Sequence, residues 1–165
     1  MSKESAIVDY SGRTVDLLLL KTVLDAPVVN KRVGIDVSNV HGAPMIVAGV
    51  EKLVQRFALS FLNILGSTNF RDDHGTGIVE AAGMGRIYNM ATLEAEASEA
   101  NMLAKAEVQR GDEESDSPDD ERLADSEVVG LEFSRSQSAA KISIRLTTEA
   151  GNSYTYIIPV AVGVS

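Results

Sequence analysis

The longest regular hydrophobic pattern in the chain runs from Ile46 to Leu65. Ile46, Val50, Leu53, Val54, Phe57, Phe61, Ile64 and Leu65 recur mostly three and four residues apart, which lines them along one face of a helix. Glu51, Lys52, Gln55 and Arg56 supply the polar side. Pro44 suits a first helical turn, where its missing N–H leaves no bond unmade, and Gly66 suits a left-handed cap. The pattern predicts a helix over 44–66, roughly 30 Å long at about 1.5 Å per residue. Phe57 and Phe61 read as core residues.

A different period takes over after residue 127. Val129, Leu131 and Phe133 alternate with Gly130, Glu132 and Ser134. Ile142, Ile144 and Leu146 alternate with Lys141, Ser143, Arg145 and Thr147, and Tyr154, Tyr156, Ile158 and Val160 form a third set. Ala150-Gly151-Asn152 suits a tight turn, and Arg135–Ala140 is short enough for another. These runs predict a three-stranded antiparallel meander with one face on the helices.

Between the two patterns the signals are weaker. Ser67 to Thr76 reads as a loop, and Thr76 suits the cap of a short helix over 77–82. Gly83 and Gly85 bend the chain. Residues 86–109 are rich in helix formers, with Ile87, Met90, Leu93, Ala97, Ala100, Ala104 and Val108 as a narrow apolar stripe suited to close packing on another helix. The run Gly111 to Glu121 is crowded with acids and reads as a solvated loop within 111–126. Residues 1–44 have short apolar stretches, Val15 to Leu20 and Val33 to Val40, broken by Pro27. They read as an arm or brace against this chain or a neighbour. The expected architecture is α+β: an N-terminal arm over 1–44, then a domain over 45–165 with two or three helices and a three-stranded antiparallel sheet.

Composition narrows the chemistry. None of the 165 residues is Cys, which removes disulfides, thiolate nucleophiles and Cys-based metal sites. The net charge of −9 argues against affinity from phosphate neutralisation, so no nucleic-acid partner is expected. No apolar run reaches a membrane span, and the opening MSKESAIVDY lacks the apolar stretch of a secretory signal. A cytoplasmic, acidic protein is expected.

No catalytic, cofactor or metal motif is complete. His41 and His74 are the only histidines, and Asp72-Asp73-His74 does not give ligands one shared helical face. Gly75-Thr76-Gly77 and Gly83-Met84-Gly85 lack both a full glycine fingerprint and a following Lys-Ser or Lys-Thr, and read as turn glycines. The acidic run lacks the oxygen order of a calcium loop. No cofactor and no metal are expected.

The order of elements, together with Leu62-Asn63-Ile64-Leu65-Gly66 leading through Phe70, Asp73 and Gly75, resembles the baseplate wedge proteins of contractile phage tails. This W-like family includes the corresponding baseplate subunit of type VI secretion machines. It carries a Glu-Pro-Arg motif just before its first sheet strand; here Asp120 and Arg122 take the acid and base positions, and Glu121 stands in place of the proline. The resemblance covers about residues 46–162 and leaves the arm unexplained. It implies a structural subunit rather than an enzyme, in the inner baseplate of a virion tail assembled in the host cytoplasm. Other wedge subunits, the tail sheath protein and tail tube proteins are its implied partners.

The physics of an unfinished sheet fits that implication. Ser153–Val160 is a candidate edge strand whose unpaired backbone groups let a neighbour's strand extend the sheet, and Pro159 suits an edge. Tyr154, Tyr156, Ile158 and Val160 are the expected partner-binding residues there. Asp120 and Arg122 are expected to pair with each other or with an opposite charge on a wedge partner. The competing expectation is a carboxylate-dependent, lysozyme-like enzyme cleaving peptidoglycan, with an acid such as Glu80 at its centre.

Overall fold

The computed structural model describes residues 16–17, 39–40, 43–44, 46–67, 74–134, 136 and 138–163. Four two-residue strands come first: β1 (Asp16–Leu17), β2 (Asn39–Val40), β3 (Ala43–Pro44) and β4 (Ile46–Val47). β1 pairs antiparallel with β4, and β2 with β3. Three helices come next, α1 (Val50–Leu62), α2 (Ile78–Gly83) and α3 (Met90–Glu113). The chain then forms β5 (Leu123–Ser134), β6 (Ala139–Thr148) and β7 (Ser153–Ala161), an antiparallel sheet in the order β5-β6-β7. The fold is α+β, as the sequence pattern predicts.

α1 is shorter than its apolar pattern implies. It spans 13 residues, about 20 Å, and not 44–66. Gly49 ends it upstream, with φ 66° and ψ −148°, a conformation that side chains disfavour. Ile46 and Val47 are drawn instead into the β1–β4 pairing, and Pro44 lies in a strand rather than a first turn. Downstream, Asn63 is extended at φ −71° and ψ 137°, and Ile64 bridges in parallel to Thr76. Ile64 and Leu65 are therefore exposed and not on the apolar face. Gly66 is left-handed at φ 71°, but it lies beyond the helix.

The core forms where α1 and α3 meet the sheet. Leu53, Phe57 and Phe61 from α1 are fully buried, as are Ile142, Ile144 and Leu146 from β6. Phe57 stacks on Phe61 and meets the ring of Tyr156 edge-on, each at 6.3 Å between centroids. α3 contributes Leu93, Ala97, Ala100, Ala104 and Val108 of the predicted stripe, whereas Met90 is exposed and Ile87 is buried ahead of the helix. It packs on β5 as well as on α1. α3 starts at Met90 rather than at Arg86, because Asn89 and Thr92 form a reciprocal capping box. It continues to Glu113, into the run that reads as an acidic loop.

β6 and β7 keep strict alternation, with Ala140, Ile142, Ile144, Leu146 and Thr148 buried from one and Tyr156, Ile158 and Val160 from the other. β5 does not. A register shift between Val128 and Gly130 inserts Val129 as an extra residue. Val128, Leu131 and Phe133 consequently pack on the core while Val129 is exposed.

Candidate functional site

The polar side of α1 is where the structure departs most from expectation. Lys52, Arg56 and Ser60 are spaced four apart and share a helical face. Lys52 Nζ lies 3.1 Å from Glu121 Oε2, Arg56 Nη2 lies 2.8 Å from Asp112 Oδ1, and Ser60 Oγ donates to Glu107 Oε1 at 2.9 Å. The Arg56–Asp112 contact is an ion pair rather than an aligned hydrogen bond. Lys52 and Gln55 are buried, not part of a solvated face.

Each of these carboxylates also accepts from a backbone N–H at an element boundary. Glu121 Oε1 accepts from Gly49 N–H at 2.7 Å, Asp112 Oδ2 from Leu123 N–H at 2.8 Å, and Glu107 Oε2 from Gly75 N–H at 3.1 Å. Glu121 is fully buried and Asp112 nearly so. Both belong to the run whose composition suggests a solvated loop; their partners on α1 lie 69 and 56 positions away and could not be seen from local charge density. His74, which reads as a loop histidine, pairs through Nε2 with Glu107, while its Nδ1 lies 2.9 Å from Asn63 Nδ2. Gly75 sits at φ 101°, where an added Cβ would come within 2.7 Å of the Asn63 carbonyl oxygen, so this position is closed to other residues. Thr76 lies one residue before Gly77, the N-cap of α2, and its hydroxyl accepts from the Ile78 N–H at 3.4 Å, as the predicted cap requires. The same hydroxyl donates to the Phe61 carbonyl at 2.6 Å. Phe70 and Asp73 lie outside the described residues.

Asp120 and Arg122 flank Glu121 but do not pair with each other. Arg122 Nη1 pairs with Glu149 Oε2 at 3.1 Å. The turn closed by the Glu121 N–H to Pro118 carbonyl bond sends Glu121 inward and Arg122 toward the β6–β7 hairpin. Asp120 is half-buried.

β7 presents a sheet edge, but through other residues than expected. Thr148 N–H donates to the Asn152 carbonyl, and Val162 N–H to the Ser138 carbonyl, both at 2.9 Å. With an unbroken register between them, alternation directs the backbone groups of Tyr154, Tyr156, Ile158 and Val160 toward β6. The outward groups belong to Ser153, Thr155, Ile157, Pro159 and Ala161. Tyr156, Ile158 and Val160 bury their side chains in the core, which corrects their expected role in partner binding. Tyr154 is exposed at 38% and Ile157 at 48%. Pro159 is the signal that finds the outward set from sequence: a residue without an N–H takes the side that needs no ladder bond, and its odd-numbered companions face the same way. Gly163 N–H donates to the Ala82 carbonyl at 2.9 Å, which ends the edge against α2.

The opposite edge is covered along its first part. Asn101 Nδ2 donates to the Ser126 carbonyl at 3.2 Å, and Gln109 Nε2 to the carbonyls of Leu123 and Ala124 at 3.2 and 2.9 Å. Lys105 adds an ion pair to Asp125 at 2.6 Å. Beyond Ser126 the bulge at Val129 breaks the regular edge.

Among the described residues no three His, Asp or Glu side chains are placed to hold a metal ion, and no helix is long and apolar enough to cross a membrane. A cleft of about 380 Å³ opens beside Lys52, Arg56, Gly111, Ser115, Asp116 and Ser117, and both of its cations are engaged by the buried acids. Comparison with family models, with curated proteins and with solved structures finds no match.

Two outcomes test this arrangement. Asp112→Ala leaves Arg56 unpaired and the Leu123 N–H unbonded, and should lower unfolding free energy by about 3 kcal/mol in urea titration. Asp125→Ala, which breaks an exposed pair, should cost no more than about 1 kcal/mol. The second concerns Tyr156, whose buried hydroxyl has no hydrogen-bond partner among the described residues and whose pKa is raised well above 10.0 by desolvation. The folded state holds that proton more tightly than the unfolded chain. Its stabilising contribution is therefore complete below the ordinary tyrosine range and is lost as pH rises through the raised value. Spectrophotometric titration should show Tyr156 ionising only with unfolding, and Tyr156→Phe should remove that alkaline loss while changing stability at neutral pH by no more than about 1 kcal/mol.

Proposed function

We propose that this chain is a structural subunit of a contractile tail baseplate, in which β7 accepts a strand from the tail sheath protein and so starts sheath assembly. It works in the virion tail, assembled in the host cytoplasm, bundled with other wedge subunits near the tail tube and without catalysis. The observation that supports this most is the asymmetry of the sheet. α3 and a bulge protect β5, whereas among the described residues none pairs with the outward groups of Thr155 and Ile157 on β7. A long, regular edge with an exposed Ile157 is an aggregation hazard in a free protein and an advantage in one that is completed by a neighbour. The resemblance of the helix–loop–sheet order to the wedge family supplies the identity of that neighbour. The lysozyme-like reading has no observation of its own: Glu80 stands exposed on α2.

Deleting Ser153–Ser165 would not test this cleanly, because it strips Tyr156, Ile158 and Val160 from the core. The double variant Thr155→Pro, Ile157→Pro removes two outward N–H groups and spares the bonds to β6. It should stay folded by circular dichroism and thermal melting, yet give baseplates without sheath by electron microscopy. Full-length sheath on those baseplates would contradict strand addition.

A further inference from the structure

The turn over 118–122 joins parts of the molecule that are remote in sequence. Inward, the Glu121 carboxylate accepts from Gly49 N–H at 2.7 Å and Lys52 Nζ at 3.1 Å, at the start of α1. Outward, the Asp119 and Arg122 carbonyls accept from Ala150 N–H at 3.1 Å and Glu149 N–H at 3.0 Å, at the tip of the β6–β7 hairpin. Arg122 adds its ion pair to Glu149. The turn itself is closed by the bond from Glu121 N–H to the Pro118 carbonyl at 2.8 Å. The inward bonds thus leave from the Glu121 side chain and the outward ones from the Asp119 and Arg122 carbonyls on either side of it, so both ends are anchored on one short closed turn.

We propose that this turn is a coupling joint, through which the start of α1 and the β6–β7 tip are held or released together. On the α1 side there is little slack: Gly49 is in a conformation that few other residues adopt, and Val47, two residues upstream in β4, is buried. Whatever pulls on the β1–β4 pairing therefore acts on Glu121. On the sheet side, the hairpin tip leads directly into Ser153, where β7 begins. A load on the N-terminal strands is transmitted in this way to the beginning of the open edge. The joint consists of contacts within the chain and stands whatever β7 binds.

Hydrogen exchange on the full-length chain tests it. Glu121→Gln preserves size and an acceptor for Gly49, but turns an amide NH2 toward Lys52. The Lys52 and Leu53 amides, both bonded to the Gly49 carbonyl, and the Glu149 and Ala150 amides should all exchange roughly tenfold faster. The Ile142 and Ile144 amides, in the middle of the sheet, should keep their rates. Arg122→Gln leaves the buried carboxylate intact and cuts only the pair to Glu149. It should accelerate the same four amides by about two- to fivefold, since coupling is reciprocal. Acceleration confined to one side of the turn in either variant would overturn the proposal. So would a uniform rise that includes Ile142 and Ile144, the mark of a general loss of stability. If Glu121→Gln does not fold, Arg122→Gln decides alone: effects at both ends support the joint, and an effect at the hairpin tip only refutes it.

Discussion

A backbone N–H left over where one element gives way to the next must find an acceptor once it is buried, and this fold is organised around that requirement. Gly49, Gly75 and Leu123 each carry such a group, at the starts of α1, the α2 approach and β5. Glu121, Glu107 and Asp112 supply the acceptors, and each carboxylate is held in turn by a side chain on one face of α1. α1 is consequently more than a greasy helix on a sheet. Its apolar face packs Leu53, Phe57 and Phe61, while its polar face registers the three boundaries against one another. Buried pairs of this kind add little net stability over a well-packed apolar alternative, but losing one partner is costly, so they favour a single arrangement of the boundaries.

Much of this is legible wherever burial obeys a local period. The alternation in β6 and β7 and the stripe from Leu93 to Val108 both appear in the structure as the spacing predicts. The illegible part depends on partners far along the chain. Ile46 and Val47 continue a helical pattern, yet pair with Asp16 and Leu17. Asp112 and Glu121 sit in a stretch whose composition says solvent, and only α1 makes their burial possible. Glu121 in particular is the most buried acid of the turn. On β7 the strand is legible, and only Pro159 marks its outward set: the apolar residues suggest a binding face, whereas they form the core face, and the exposed backbone belongs to their neighbours.

The same rule about backbone groups gives the two sheet edges their different characters. Asn101, Lys105 and Gln109 of α3 close the first part of β5, and Val129 distorts the rest of that strand's edge. β7 has one concession to solubility, Pro159, and one stop, the Gly163 bond to α2. Among the described residues none pairs with the edge between Ser153 and Pro159.

The most direct measurement compares exchange of the Thr155 and Ile157 amides in the isolated chain and in the assembled tail. Both should exchange quickly in the isolated chain while Tyr156 and Ile158 are protected, and both should become protected in the tail. Slow exchange of Thr155 and Ile157 in the isolated chain, or fast exchange in the assembled tail, would contradict strand addition at β7.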